Sequence, residues 1–252
     1  MINQGYNRSM SDLKGKVILI TGGSQRIGRE IALVMADAGA NVVITYLNSE
    51  QEAQRTYLDL IGLGVRALAL PCDVRDEESV EATFAKVQKQ MGPLDILVNN
   101  AALYETADFR DLTLQQWDNM FATNTRGPFL TGKKAYPMLM ETQGKIINIG
   151  SLGGLRPWVT HAHYCVSKAA LHSLTQVMAK ALAPAISVNC VAPGMIDMGN
   201  SEPKMMIKMR ERAPMQRNGE PSDVSSAVMY FATAPRFITG QTLVVDGGLS
   251  LV

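Results

Sequence analysis

The sequence predicts an α/β fold in which about seven parallel strands form one doubly wound sheet with helices on both faces. Short β-branched runs alternate with longer helical stretches along the chain, without an internal repeat or linker. Runs such as Val17–Ile20 and Ile96–Val98 are wholly apolar, which is typical of strands covered on both faces. Alternating strands and helices form parallel sheets through right-handed crossovers. Ligands of such sheets bind beyond the carboxyl ends of the strands.

The elements follow in chain order from this alternation. Runs rich in valine, isoleucine and leucine predict strands at Val17–Thr21, Asn41–Tyr46, Val65–Leu70, Leu94–Val98, Lys145–Ile149, Ile186–Val191 and Gln241–Val245. The longer stretches between them predict helices near 26–38, 50–61, 76–91, 114–141, 163–183 and 221–232. Residues 1–13 are polar, lack the apolar centre of a signal peptide and are predicted to be a flexible leader. Residues 14–252 are predicted to form a single catalytic domain.

The composition argues against several classes of partner. The 252 residues carry a net charge of +1, which gives no reason to expect nucleic acid or an anionic membrane surface as a partner. No apolar run approaches the roughly 20 residues that span a bilayer. The three cysteines are odd in number and form no C-x-x-C pair, so neither a disulfide framework nor a zinc site is indicated. A reducing compartment, the cytoplasm, fits this pattern.

The segment from Thr21 to Gly28 follows the first predicted strand and opens a helix. Glycines let a backbone turn sharply and approach a pyrophosphate, and a helix N-terminus offers free N–H groups and partial positive charge. The motif differs from G-x-G-x-x-G because Arg26 replaces an inner glycine. An ordinary strand–turn–helix is the alternative. The loop residues predicted to hold a dinucleotide are Gly22, Ser24, Gln25, Arg26, Ile27 and Gly28.

The end of the second strand bears on which dinucleotide binds. NAD-binding chains usually place an acid there for the ribose 2′-OH, but this chain has Tyr46 at that place. Arg26 can pair with a 2′-phosphate, and Asn48 and Ser49 can hydrogen-bond it. NADPH is therefore favoured over NADH. Two alternatives stay open: Arg26 merely covers the helix face, or Glu50 serves a ribose if the loop bends back.

A tyrosine–lysine pair points to proton transfer. Tyr164 and Lys168 lie four residues apart in a predicted helix and therefore on one face. A tyrosine has a pKa near 10, and a nearby ammonium favours the phenolate and eases proton exchange. Ser151 follows the strand Lys145–Ile149, so its hydroxyl is placed to hold a substrate oxygen.

Taken together, the motifs resemble the short-chain dehydrogenase/reductase family from about Lys14 to Gly248. The matching segments occur in the family's order: Thr21-Gly22-x-x-x-Arg26-Ile27-Gly28, Cys72-Asp73-Val74, Asn99-Asn100-Ala101-Ala102, Asn124, Ser151, Tyr164-x-x-x-Lys168, Pro193-Gly194 and Asp246-Gly247-Gly248. The chain departs from the common pattern at Arg26, at Ala102 in place of glycine, and at Met198, where a threonine often binds the carboxamide.

The resemblance implies a Rossmann-type fold and a role for each matching residue. Tyr164 would donate a proton to the substrate oxygen, Ser151 would orient the carbonyl, and Asn124 would fix a water that links Lys168 to solvent. Lys168 would hold the nicotinamide ribose and lower the pKa of Tyr164. The remaining cofactor contacts would be Asp73 and Val74 at the adenine, Asn100 and Ala101 by backbone, and Pro193, Gly194 and Ile196 at the carboxamide. Asn99 and Asn100 can also cap and order the sheet.

The resulting hypothesis is an NADPH-dependent oxidoreductase that reduces a small carbonyl substrate and is similar to 3-oxoacyl-acyl-carrier-protein reductases. The alternatives are a pteridine or dihydrofolate reductase and a non-catalytic dinucleotide-binding regulator. A homotetramer or homodimer is expected from family habit.

Histidine, cysteine and methionine residues near these motifs are predicted to have roles other than metal binding or nucleophilic catalysis. No metal site is expected at His161 and His163, because residues two apart cannot share a helix face. Cys165 is predicted to be a small buried residue. The methionine-rich stretch from Met195 to Met215 is predicted to form a lid over the substrate, or alternatively a helix packed on the core.

Overall fold

A computed structural model describes residues 13–199 and 204–252 of the chain. Seven parallel strands form one sheet in the order β3-β2-β1-β4-β5-β6-β7, which confirms the predicted fold class. The strands are β1 (Val17–Ile20), β2 (Asn41–Tyr46), β3 (Ala67–Pro71), β4 (Ile96–Asn99), β5 (Lys145–Ile149), β6 (Ser187–Pro193) and β7 (Thr242–Val245). Because β1 pairs with both β2 and β4, the strand order reverses there and a crevice opens at the carboxyl ends.

Helices connect the strands. They are α1 (Arg26–Asp37), α2 (Glu50–Gly62), α3 (Glu77–Met91), α4 (Leu114–Phe121), α5 (Gly127–Thr142), α6 (Ala162–Ala181), α7 (Lys204–Arg212) and α8 (Pro221–Thr233). Among the described helices, none is long and apolar enough to cross a membrane. Residues 1–12 of the leader predicted at 1–13 lie outside the described residues. Leu13, the last residue of that predicted leader, is buried in the core.

The sheet is covered on both faces, as its apolar strands indicate. Side chains alternate along a strand, so Ile18 and Ile20 of β1 pack into one hydrophobic cluster with residues of α1 and α8. Leu19, on the opposite face, packs into a second cluster with residues of α3, α5 and α6. All four residues of β1 are buried, so the strand that leads into the phosphate loop is fixed from both sides.

The single helix expected over 114–141 is interrupted. A π-helical turn, Ala122–Arg126, separates α4 from α5 and contains the buried Asn124. Such turns are often found at functional sites. The third strand also differs from its prediction, since it begins at Ala67 and includes Pro71. A proline is tolerated there because β3 is an edge strand.

Candidate active site

A cleft of about 380 Å³ opens beyond the carboxyl ends of β1, β2 and β4. Most of the predicted cofactor residues line it: Gly22, Ser24, Gln25, Arg26, Ile27, Gly28, Tyr46, Ser49, Asp73, Val74, Asn100 and Ala101. Asn48 is exposed between Tyr46 and Ser49 on the same turn. Pro193 ends β6, and Gly194 and Ile196 follow it. Sequence reasoning missed other lining residues, among them Thr45, Arg75, Leu103 and Thr123.

The phosphate loop is held open by glycine and tied to the end of β4. A Cβ on Gly28 would lie 2.2 Å from the carbonyl oxygen of Gly22, so only glycine fits this close turn. The Asn100 amide nitrogen donates to the carbonyls of Thr21 at 3.0 Å and Gly22 at 2.9 Å. The Thr21 hydroxyl accepts the backbone N–H groups of Asn100 and Ala101, each at 3.0 Å. This network gives the Asn100 side chain an ordering role in the loop.

Arg26 begins α1 with φ +54°, a left-handed conformation that glycine adopts more readily. Its side chain is exposed at the cleft, and its guanidinium makes no hydrogen bond or ion pair within residues 13–199 and 204–252. Beside it, the hydroxyls of Ser24 and Ser49 are 2.7 Å apart and join the phosphate loop to the turn after β2. The loop therefore combines a glycine cradle, two hydroxyls and a free cation, which fits a phosphorylated dinucleotide.

Asp73, the predicted adenine contact, is engaged by Arg75. The Arg75 side chain donates to both carboxylate oxygens, with Nη2 2.7 Å from Oδ2 and Nε 2.9 Å from Oδ1. These bonds to Arg75 hold the pKa of Asp73 below its ordinary value. A basic residue two positions after the aspartate was the signal in the sequence for this pair.

Helix α6 and the end of β5 bring the predicted catalytic residues together. The Ser151 hydroxyl accepts the Gly153 N–H at 3.0 Å and interacts with the Tyr164 hydroxyl, which favours the phenolate. One turn further along α6, Lys168 is buried and its Nζ lies 6.0 Å from the Tyr164 ring centroid. That ammonium donates to the carbonyl of Ile149 at 2.7 Å.

The protonation states of this pair differ from the expectation that Lys168 lowers the pKa of Tyr164. Burial raises the pKa of Tyr164 to about 12, and the interaction with Ser151 offsets this only in part. Burial also lowers the pKa of Lys168 to about 8. The reason for both shifts is that a dry environment disfavours each charged form. At neutral pH Tyr164 is therefore a protonated phenol that is able to donate a proton.

Asn124 connects the loop after β4 to helix α6. Its carbonyl oxygen accepts the Leu103 N–H at 2.8 Å. Its amide nitrogen donates to the Leu103 carbonyl at 2.9 Å and to the Ser167 hydroxyl at 3.1 Å. The side chain thus holds two segments of the site together, and its predicted role in fixing a water remains a prediction.

A second cavity, of about 640 Å³, is lined by Tyr104, Trp158 and His161. The rings of these three residues all lie next to the Tyr164 ring. The loops after β4, β5 and β6 contribute to the cavity, through residues such as Tyr104, Trp158 and Met195. Helix α7 adds Met205, Met209 and Arg212 to the lining, and the lid role of the methionine-rich stretch stays a prediction. The contribution of the C-terminus, Leu249 and Val252, was missed because no local pattern marks it.

Aromatic rings that line the second cavity surround Tyr164. Tyr104 meets the Tyr164 ring edge-on with centroids 5.0 Å apart, and Trp158 stacks at 6.4 Å with 14° between the planes. His161 lines the pocket, whereas His163 is fully buried and neither of its ring nitrogens has a partner among the described residues. Within residues 13–199 and 204–252, no cluster of histidine, cysteine and carboxylate residues could hold a metal.

The remaining features lie apart from this chemistry. Cys165 is buried and accepts a hydrogen bond from the Trp158 N–H, which agrees with its predicted role as a small packing residue. A larger groove of about 870 Å³ between α1, α2 and α8 contains none of the predicted site residues.

The dinucleotide cleft, the Ser151–Tyr164–Lys168 group and the parallel sheet together define a short-chain dehydrogenase/reductase. A family model described as enoyl-(acyl carrier protein) reductase matches residues 22–250. The 3-oxoacyl-[acyl-carrier-protein] reductases of Staphylococcus aureus and Staphylococcus epidermidis are each 36% identical over 240 residues, or 93% of this chain and 98% of theirs. The chain belongs to the classical short-chain dehydrogenase/reductase family of oxidoreductases.

Solved structures agree with this assignment. A short-chain type dehydrogenase/reductase from Mycobacterium marinum is 33% identical with a TM-score of 0.90, and the match covers 96% of this chain and 98% of that one. A short-chain dehydrogenase/reductase variant from Serratia marcescens is also 33% identical with a TM-score of 0.90, covering 95% of this chain and 99% of that one.

Proposed function

We propose that the protein is an NADPH-dependent oxidoreductase that reduces a carbonyl substrate, of the 3-oxoacyl-thioester type or another ketone, with Tyr164 as the proton donor. The observation that carries the proposal is the grouping of Tyr164 with Ser151 and Lys168. The Tyr164 ring also contacts Tyr104 and Trp158, which line an apolar pocket. The identity of the Staphylococcus relatives as 3-oxoacyl reductases supports the substrate class.

Each side chain has a definable task in this reaction. NADPH supplies the hydride when it is bound. Ser151 Oγ accepts the Gly153 N–H, so its own hydrogen, which interacts with Tyr164 in this structure, can turn to the carbonyl oxygen when substrate binds. Tyr164, with a pKa near 12, holds its proton at neutral pH and gives it to the same oxygen. Lys168 provides a positive charge near the phenolate that forms.

The preference for NADPH rests on Arg26 and on the turn after β2. The Arg26 guanidinium at the cleft has no ion pair within the described part of the chain, and the Ser24 and Ser49 hydroxyls lie beside it. It can therefore bind a 2′-phosphate through charge-assisted hydrogen bonds. The backbone at Arg26 is also strained, and strain of this kind clusters at functional sites. The opposing feature is Glu50, whose charge raises the pKa of Tyr46 in addition to the larger effect of burial. A comparison of KM for NADPH with KM for NADH decides whether Arg26 or Glu50 determines the choice of cofactor.

A pteridine or dihydrofolate reductase is the second candidate. The observation that favours it is the aromatic lining at Tyr104 and Trp158, because flat heterocycles stack on such rings. The family model's description adds a third possibility, reduction of an enoyl thioester.

A substrate panel tests the proposal. Oxidation of NADPH and of NADH is followed with acetoacetyl thioester, simple ketones, crotonyl thioester and dihydrobiopterin. The proposal expects turnover of the ketones with NADPH, and a Tyr164→Phe variant that binds NADPH but turns nothing over. Turnover of dihydrobiopterin or crotonyl thioester alone would replace the carbonyl assignment. Equal inactivity of wild type and variant would support a non-catalytic regulator.

We also propose a homotetramer or homodimer in the cytoplasm. Helices α5 and α6 expose apolar side chains that a partner subunit would cover, namely Phe129, Tyr136, Met140, Val166 and Val177. The three cysteines are unpaired and buried, which suits a reducing compartment. Light scattering of the purified protein measures the oligomeric state.

A further inference from the structure

His172 lies directly behind the loop that carries Ser151. It is four residues after Lys168 and eight after Tyr164 on helix α6, so the three side chains share one helix face. The side chain is buried, with 7% of the residue exposed. Neither the hydride transfer nor the proton transfer proposed above assigns it a task.

The loop wraps around the imidazole ring. A Cβ on Gly150 would lie 2.3 Å from His172 Nε2, and a Cβ on Gly154 would lie 2.9 Å from His172 Cε1. The ring therefore occupies space that two side chains would otherwise fill, on both sides of Ser151. A change of shape or position in the ring must move this loop, because protein interiors are closely packed.

A hydrogen bond connects the ring to Ser151 itself. His172 Nε2 accepts the backbone N–H of Ser151 at 3.3 Å, in a buried position. A ring nitrogen that accepts a hydrogen bond carries no proton, so the neutral ring has its proton on Nδ1. This Nδ1 is buried and has no partner within the described part of the chain. An unpartnered buried N–H is costly, which makes an accidental histidine here unfavourable.

The neutral state is maintained through the working pH range. Burial, together with the charge of Lys168, lowers the pKa of His172 to about 4. The imidazole therefore stays an acceptor for the Ser151 N–H at neutral pH.

We infer that His172 is a positioning residue, which fixes the backbone of Ser151 so that the serine hydroxyl points at the substrate carbonyl. The hydroxyl is then held from two sides, by the Ser151 N–H bond to His172 and by the Gly153 N–H bond to Oγ. The inference rests on the proposed function, since it requires that Ser151 orients the substrate.

The test compares variants at one position with the serine variant as reference. His172→Gln keeps an acceptor near the place of Nε2, His172→Asn is polar but too short to reach it, and His172→Met keeps volume without a strong acceptor. We expect His172→Met and His172→Asn to lower kcat for ketone reduction about tenfold, the effect of one lost hydrogen bond. KM for the ketone and the Kd for NADPH, measured by fluorescence, should change less than threefold. His172→Gln should restore kcat to within about threefold of wild type.

A double-mutant cycle shows whether the effect passes through Ser151. In a Ser151→Ala background, His172→Met should cause no further loss of kcat. An equal loss in both backgrounds would overturn the inference, as would a His172→Met variant with wild-type kcat. If His172→Met does not fold, the comparison of His172→Gln with His172→Asn decides, and equal kcat values for the two overturn it. If Ser151→Ala alone retains wild-type kcat, the role of serine in the proposed function is wrong instead.

Discussion

The Tyr104 hydroxyl lies 2.7 Å from Nε2 of His161, and the Tyr104 ring meets the Tyr164 ring edge-on. His161 Nδ1 is in turn 3.0 Å from the Thr160 hydroxyl. Burial and the nearby His163 lower the pKa of His161, so its ring is neutral at pH 7. The pair therefore joins two loops of the second cavity by an uncharged hydrogen bond, and the Tyr104 ring contacts Tyr164.

Replacement of Tyr104 by phenylalanine should weaken the fold more than the chemistry. Tyr104→Phe leaves the ring against Tyr164 but removes the partner of the buried His161, at a cost of about 1 kcal/mol in the free energy of unfolding. Urea denaturation measures this cost, and kcat for ketone reduction should stay within about threefold. Tyr104→Ala, which also removes the ring contact, is the control and should lower kcat further. A tenfold fall of kcat in Tyr104→Phe would instead mean that the hydroxyl contacts the substrate.

Replacement of Arg26 by glycine should separate cofactor choice from stability. Glycine adopts the φ of +54° without strain, so the free energy of unfolding should be unchanged or slightly higher. Loss of a charge-assisted bond to the 2′-phosphate should raise KM for NADPH at least tenfold, about 1.5 kcal/mol or more, and leave KM for NADH unchanged. Arg26→Asn, which also tolerates this backbone conformation, is the matched control. Parallel losses for NADPH and NADH would show that Arg26 does not contact the 2′-phosphate.

The decrease of kcat for ketone reduction at alkaline pH should reflect the deprotonation of Lys168. Its pKa is lowered to about 8, whereas that of Tyr164 is raised to about 12 and that of the neighbouring Cys190 to about 11. The kcat should therefore fall as the pH rises through about 8, when Lys168 loses its charge. A pH–rate profile from 6 to 10 measures this, and a Lys168→Arg variant with residual activity should lack the decrease because arginine stays charged. A decrease that persists unchanged in that variant would assign it to another group.

The same lowering of its pKa means that Lys168 destabilises the folded protein. Its pKa falls from the ordinary 10.5 to about 8 on folding, so the unfolded chain binds more protons between these values and stability rises with pH there. Below pH 8 the destabilisation by the buried ammonium is fully present. We expect Lys168→Met to raise the free energy of unfolding at pH 7 by about 1 to 3 kcal/mol while activity is lost. The two stability curves should converge above pH 10. A destabilised Lys168→Met variant at pH 7 would indicate that the bond to Ile149 outweighs the desolvation of the ammonium.

The sequence predicted the parts of the fold that depend on neighbouring residues. Asn41–Tyr46 and Lys145–Ile149 form strands with the predicted bounds, because short runs rich in β-branched residues determine them locally. The break at Ala122–Arg126 was not predicted, because it is coupled to the contacts of Asn124 with Leu103 and Ser167, which are 21 and 43 residues away. The periodic pattern of apolar residues does not indicate contacts between residues so far apart in the sequence.

The candidate site divides in the same way. The phosphate loop and the pair Tyr164 and Lys168 are local motifs, so the sequence pattern together with the family resemblance was enough to predict them. The bond between Tyr104 and His161 joins residues 57 apart, and no motif precedes it. The protonation state of Tyr164 was also not predictable, since burial of its side chain depends on Trp158 and Tyr104, which the fold brings to it.

The two-sided burial of β1 has a consequence for how this architecture can change. The dinucleotide loop follows β1, in which all four side chains are buried, so substitutions in that strand would lower the free energy of unfolding. The second cavity, in contrast, is lined by the loops after β4, β5 and β6 together with α7, Leu249 and Val252. Those loops can exchange residues without disturbing the central strand. Related chains can therefore acquire new substrates while the nucleotide end of the molecule is inherited intact.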